Sequence, residues 1–200
     1  MSDSEQVEPK PAGTAPRASS GDDGRSIVMV GLMGAGKSSI GRRLASRLDL
    51  PFVDADSEIE AAAGCTIAEF FERHGEAAFR DGERRVIARL LDGPRKVLAT
   101  GGGAFMDEDT REAIGRSGIS VWLRADLETL VRRTSRRSDR PLLNNDDPAE
   151  TLKNLMETRY PIYEQADIDV ESDDGPPDQT VDRVVAALEA FKAAGTDSAS

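Results

Sequence analysis

The chain contains one cysteine and one histidine in 200 residues, and its 26 lysines and arginines are outnumbered by 37 aspartates and glutamates. A lone cysteine, Cys65, cannot close an internal disulfide, and no Cys or His stands near it at metal-ligand spacing. That excludes a disulfide scaffold and suits a reducing, cytoplasmic setting. Cys65 reads as a small packed or surface residue. The formal charge of −11 provides no overall attraction to nucleic acid or to an anionic membrane surface, so neither is expected as a partner. No run approaches the roughly 20 apolar residues of a membrane span, and the N-terminus lacks a basic-then-apolar leader pattern. Any anionic ligand must therefore be held by locally placed cations.

Large apolar residues are almost missing from residues 1–25, MSDSEQVEPKPAGTAPRASSGDDGR, which are rich in Ser, Pro, Gly, Ala and acids. Such a stretch cannot bury enough apolar surface to offset its ordering entropy, so a disordered tail is expected there. Residues 193–200, AAGTDSAS, read as a second, shorter tail. The body between them, 26–192, is long enough for one domain with a core of its own.

Within that body the strand candidates are SIVMV (26–30), PFVD (51–54), KVLAT (96–100), SVWL (120–123) and DIDV (167–170). Most are uninterrupted rather than alternating in polarity, as expected when helices cover both faces of a parallel sheet. Their alternation with helical stretches predicts a three-layer, doubly wound α/β fold with a five-stranded parallel sheet and sites beyond the C-terminal strand ends. TIAE (66–69) fits a capping box, and His74 with Gly75 fits a helix stop. His74 therefore reads as a helix-end residue rather than a catalyst.

Directly after the first strand candidate, GLMGAGKSS (31–39) satisfies G-x-x-x-x-G-K-[ST], and the amphipathic SSIGRRLASRL follows. Strand before and helix after is the context that separates a phosphate-binding loop from a glycine-rich turn with an incidental lysine. Gly34, Ala35, Gly36, Lys37, Ser38 and Ser39 are the candidate ATP-binding residues. Backbone amides and the helix start would face phosphate oxygens, Lys37 would neutralise the β and γ phosphates, and the Ser38 hydroxyl would sit on Mg²⁺.

Many such proteins place an aspartate at the end of a later strand to help hold the metal. Here the third strand candidate ends VLATGGG, with Gly101, Gly102 and Gly103 in place of an acid. An oxygen-seeking metal then needs a carboxylate from elsewhere, and VDADSEIE (53–60) offers Asp54 and Asp56. Residues i and i+2 of an extended segment share a side, which would bring one carboxylate to the metal and the other to the acceptor hydroxyl. Equally, Asp56 followed by SEIE reads as an N-cap with acids in the first helical turn. Local sequence leaves both readings open.

Three arginines stand apart from surface positions such as Arg42, Arg43 and Arg47: Arg80 in GEAAFRDGER, Arg140 in SDRPLLNNDD and Arg159 in METRYPIYEQ. Their planar forks suit carboxylate or phosphate, and convergence would make an anion clamp. Residues 135–147, SRRSDRPLLNNDD, lack a helical or strand period. They are expected to form a closing lid that excludes water and brings Arg140 to the phosphates.

Taken in order, GLMGAGKSS, FVDAD (52–56), FRDGE (79–83), GGG (101–103), RPLL (140–143) and TRYPIYEQAD (158–167) resemble the shikimate kinases, small P-loop kinases of the nucleoside monophosphate kinase fold. The likeness covers 26–192. It implies transfer of the ATP γ-phosphoryl group to the 3-hydroxyl of shikimate, giving shikimate 3-phosphate and ADP on the route to chorismate and the aromatic amino acids. It implies that Asp56, Arg80, the run Gly101, Gly102 and Gly103, and Arg159 bind shikimate, with Glu83 helping to hold Arg80. Asp54 and Ser38 match the Mg²⁺ region, Arg140 the lid arginine facing ATP, and Arg133 an adenine-contacting position. Lys37, Asp56 and Arg140 would form the catalytic set, Asp56 either orienting the attacking hydroxyl or deprotonating it. A monomer is expected. One run departs from the family: VESDDGPPDQ (170–179) carries Asp173 and Asp174 where a basic residue is common.

Two other functions compete. A gluconate or nucleoside monophosphate kinase would keep the phosphate loop without needing FVDAD, FRDGE and GGG together. A regulator built on a decayed kinase would not need Lys37, Asp54, Asp56, Arg80 and Arg159 all to be present.

Overall fold

The computed structural model describes residues 24–135 and 147–197. Five strands, β1 (Ser26–Val30), β2 (Phe52–Asp54), β3 (Val97–Ala99), β4 (Gly118–Arg124) and β5 (Ile168–Glu171), pair in parallel in the order β2-β3-β1-β4-β5. Successive strand residues point to opposite faces, and all five of β1 and all three of β3 are buried. Both faces of the central sheet are therefore covered, and the unbroken apolar runs are explained. β5 is an edge strand: Ile168 and Val170 are buried while Asp169 and Glu171 are exposed, so its sequence alternates.

The helices are α1 (Lys37–Leu48), α2 (Ala55–Ala63), α3 (Ile67–Leu91), α4 (Glu108–Ser117), α5 (Leu127–Ser135), α6 (Pro148–Tyr163) and α7 (Pro177–Asp197), with a 3₁₀ turn at Ala104–Met106. They contribute Leu44, Ile87, Ile114, Leu130, Leu152 and Val184 to one core with Val28, Leu98 and Leu123 of the sheet. Each such side chain contributes on the order of 1.5–3 kcal/mol by leaving water. Register matters for the site. Asp54 pairs with Ala99, Ala99 with Met29, and Val30 with Trp122. The chain therefore leaves β1, β2 and β3 along one rim of the sheet, where Gly31, Asp56 and Gly101 follow.

The capping box at Thr66 and Glu69 is present. The stop expected at His74 and Gly75 is instead a kink: Gly75 takes φ 78° and ψ 173°, and α3 resumes beyond it. Glycine admits that backbone conformation, while the apolar face renewed by Phe79, Ile87 and Leu91 re-forms the helix against the core. His74 packs on Phe70 with ring centroids 4.7 Å apart. At the C-terminus α7 continues through Ala193 to Asp197, past the expected boundary, because the Ala-rich EAFKAA stretch favours helix. The expected lid lies largely outside the described residues: Ser135 ends α5 and Asp147 caps α6, and Arg140 falls between them. The expected N-terminal tail, apart from Gly24 and Arg25, also lies outside them.

Candidate active site

The phosphate loop leaves β1 under tight steric control. Gly31 has φ +135°, and a Cβ there would meet the Leu123 carbonyl oxygen at 2.7 Å, so only glycine fits beside β4. Gly36, with φ 99°, is the N-cap of α1 and, being glycine, offers no side-chain cap. The first amides of α1 and the positive end of its dipole thus remain open to an anion. Lys37 reaches back along the loop, its Nζ donating to the carbonyls of Gly31 at 2.8 Å and Leu32 at 3.0 Å. Ser39 is exposed, its hydroxyl accepting from Arg43 at 2.8 Å.

Ser38 and Asp54 meet as expected of the metal pair: Ser38 Oγ donates to Asp54 Oδ2 at 2.8 Å. Both present hard oxygens beside the phosphate loop, which suits Mg²⁺, an ion that takes one or two protein oxygens and completes its shell with water and phosphate. Asp54 is also the N-cap of α2, its Oδ1 accepting from the Asp56 amide at 3.2 Å. The helix-start reading of VDADSEIE is realised, with the cap at Asp54 rather than Asp56. The strand argument needs correction: α2 begins at Ala55, so the capping turn, not extended alternation, brings the two carboxylates to one rim.

The glycine run after β3 is where the substrate candidates converge. A Cβ on Gly101 would lie 2.9 Å from Asp56 Oδ1 and 2.9 Å from Glu83 Oε1, and one on Gly102 would lie 3.6 Å from Arg159 Nη1. A Cβ on Gly103 would strike the Arg80 guanidinium at 2.5 to 2.7 Å. Residues from α2, α3 and α6 thus share one small space that side chains on residues 101–103 would fill. Burial and the neighbouring Asp54 raise the Asp56 carboxyl above the usual aspartate range, while Lys37 and Arg80 pull it down. Arg80 Nη1 donates to Glu83 Oε2 at 2.6 Å, and Glu83 is only 3% exposed. Burial raises the Glu83 carboxyl as well, against the opposing pull of Arg80.

Comparison with known proteins places the chain in one family. The sequence model of the shikimate kinases matches residues 33–189. The chain belongs to the shikimate kinase family. Shikimate kinase of Paramagnetospirillum magneticum is 64% identical over 169 residues, covering 84% of this chain and 87% of that protein. That of Rhodopseudomonas palustris is 56% identical over 190 residues, covering 92% and 93%. Among solved structures, shikimate kinase from Acinetobacter baumannii in complex with shikimate superposes with a TM-score of 0.80 at 37% identity, over 83% of this chain and 93% of that one. A gluconokinase from Sinorhizobium meliloti, at 20% identity and a TM-score of 0.62, shares the fold alone. The expected α/β kinase architecture is thereby confirmed, and the match to the shikimate kinases outranks that to the gluconokinase.

The departure of the chain from the family pattern after β5 acquires a structural account. Asp173 Oδ2 accepts from Arg183 at 2.8 Å, and Asp174 pairs with Arg132 and Arg133. The acids are neutralised by arginines of the same wall. Arg133 Nη1 also donates to Ser172 Oγ at 3.0 Å and to the Gly34 carbonyl at 3.3 Å, and Nη2 donates to the Asp173 carbonyl. It therefore stands between the phosphate loop and the segment after β5. Two contributors went unnoticed in the sequence. Buried Ser172 donates to the Ala35 carbonyl at 2.8 Å, tying that segment to the loop. Tyr163 donates to the Gly102 carbonyl; its spacing of four residues from Arg159 was the available signal.

Proposed function

We propose that Asp54 and Asp56 serve different partners in the transfer of the ATP γ-phosphoryl group to the 3-hydroxyl of shikimate. Family membership makes the chain a kinase of shikimate and ATP. The observation that supports the division is that Asp54 is hydrogen bonded to Ser38 of the phosphate loop, while Asp56, Glu83, Arg80 and Arg159 crowd residues 101–103.

Shikimate carries one carboxylate and three hydroxyls. Arg80 and Arg159 clamp the carboxylate, and the glycine run lets the backbone approach the ring without side-chain clashes. Asp56 accepts a hydrogen bond from the 3-hydroxyl and orients it. Asp56 lies against residues 101–103, within reach of a hydroxyl held there, and accepts the proton as the oxygen attacks. In that step the proton passes to Asp56, the oxygen–phosphorus bond forms, and the bond to the β-phosphate oxygen breaks to leave ADP. Lys37 turns from its own loop carbonyls to the phosphates, and Arg133 lines the adenine side. Arg140 is assigned to the closing lid. Ser38 and Asp54 hold Mg²⁺, which when bound neutralises charge on the β- and γ-phosphates. The lone cysteine supports a cytoplasmic enzyme. We assign a monomer, and light scattering tests that state.

The test of the division is kinetic. Asp56→Asn should lower kcat at least about tenfold with the KM for ATP within about twofold of the parent, whereas Arg80→Ala should act mainly on the KM for shikimate. Equal loss of ATP binding in both variants would contradict it.

A further inference from the structure

Two side chains of α6 reach one atom. Arg159 Nη1 donates to the Gly102 carbonyl oxygen at 2.8 Å, and the Tyr163 hydroxyl donates to the same oxygen. They stand four residues apart and so share a helix face, and a carbonyl oxygen has two lone pairs, one for each donor. The donors differ in freedom. Tyr163 is 1% exposed, with its ring centroid 6.2 Å from that of Phe105 and 5.9 Å from that of Trp122, so its hydroxyl is fixed by packing. Arg159 is only half-buried on a long flexible stem. Burial raises the Tyr163 phenol to about 12, so it remains a donor across the working pH range.

We propose that Tyr163 is a positioning residue of the carboxylate clamp, holding the Gly102 carbonyl in place while Arg159 turns from that oxygen to the carboxylate of shikimate. The proposal rests on the clamp assigned above. A part-buried carbonyl left with no protein partner opposes the departure of its donor. With Tyr163 in place the oxygen keeps one bond, and Arg159 is released at lower cost. The same bond orients the peptide plane between Gly102 and Gly103, which no side chain of its own restrains.

Tyr163→Phe keeps the ring and removes the bond. Calorimetry should show the Kd for shikimate rising about five- to tenfold, with the KM for shikimate following it and the KM for ATP within about twofold. A lowered Tm with unchanged shikimate affinity would mean that the hydroxyl only stabilises the fold, and would overturn the proposal. Arg159→Ala, measured alongside, separates the two readings. Unchanged shikimate binding in Arg159→Ala sinks the clamp itself; weakened binding there with none in Tyr163→Phe sinks the role of Tyr163 alone. In the double variant the Tyr163→Phe effect on Kd should shrink, because the residue acts through Arg159. Full additivity would count against the coupling.

Discussion

Glu83 is 3% exposed and still faces a guanidinium only 2.6 Å away. A carboxylate taken out of water at that depth is disfavoured unless its partner compensates, and its raised pKa shows that burial outweighs Arg80. The group is therefore better understood as aiming Arg80 than as stabilising the fold. Its folded pKa lies above its unfolded one, so its stabilising contribution is present while the carboxyl is protonated. That contribution is lost as pH rises from about 4.3, the ordinary glutamate value, through the folded pKa, and the loss is constant beyond. Glu83→Gln should consequently gain stability relative to the parent as pH rises through that window. Urea midpoints measured from about pH 4 to 8 would reveal the trend, and a flat difference would contradict it. The same variant should raise the KM for shikimate about three- to tenfold, since a neutral amide holds Arg80 less firmly.

Short glycine segments at strand ends act as elements here, and their substitutions should divide by what each Cβ would meet. Gly103 has φ −100° and ψ −14°, a conformation open to alanine, and the three atoms nearest its Cβ would all belong to the Arg80 guanidinium, at the end of a flexible stem. Gly103→Ala should therefore leave stability within about 1 kcal/mol and raise the KM for shikimate roughly tenfold, with little change in the KM for ATP. Gly31→Ala should do the opposite, losing stability by more than about 2 kcal/mol, because φ +135° and the Leu123 carbonyl at 2.7 Å allow no local escape. Thermal melts and initial rates on the two variants separate these outcomes, and a loss of stability in Gly103→Ala as large as in Gly31→Ala would contradict the distinction. Much of this arrangement was legible from the sequence. β1 falls at the expected residues, and the loop, Asp54, Asp56, Arg80 and Arg159 all reach the same rim. The turn that pairs Asp54 with Asp56 was not legible, because local pattern does not reveal where a strand yields to a helix within a residue or two. Nor were the bonds of Tyr163 to Gly102 and Ser172 to Ala35, which join segments 61 and 137 residues apart. Such contacts depend on sheet order, which no local pattern carries. The acids after β5 look anomalous in isolation, whereas their meaning lies in Arg132, Arg133 and Arg183 around them.

At the scale of the whole molecule, the proposed assignment puts the nucleotide on the loop after β1, α1, α5 and the segment after β5, and shikimate on α2, α3, α6 and the end of β3. Neither the bond of Arg80 to Glu83 at 2.6 Å nor that of Arg159 to the Gly102 carbonyl at 2.8 Å passes through a residue of the proposed nucleotide side. Shikimate alone should thus bind and brace α3 and α6 against the sheet. A ligand that binds only the folded state at about 100 times its Kd adds about 2.7 kcal/mol of stability. For a chain of this size that raises Tm by roughly 5 to 11 °C, at about 2–4 °C per kcal/mol. Shikimate without ATP should produce such a shift in the parent protein, a much smaller one in Arg159→Ala, and gluconate none at the same concentration. A shift that appeared only when ATP was also present would mean that the clamp is completed by nucleotide, and that the pairing of Arg80 with Glu83 does not by itself prepare the site.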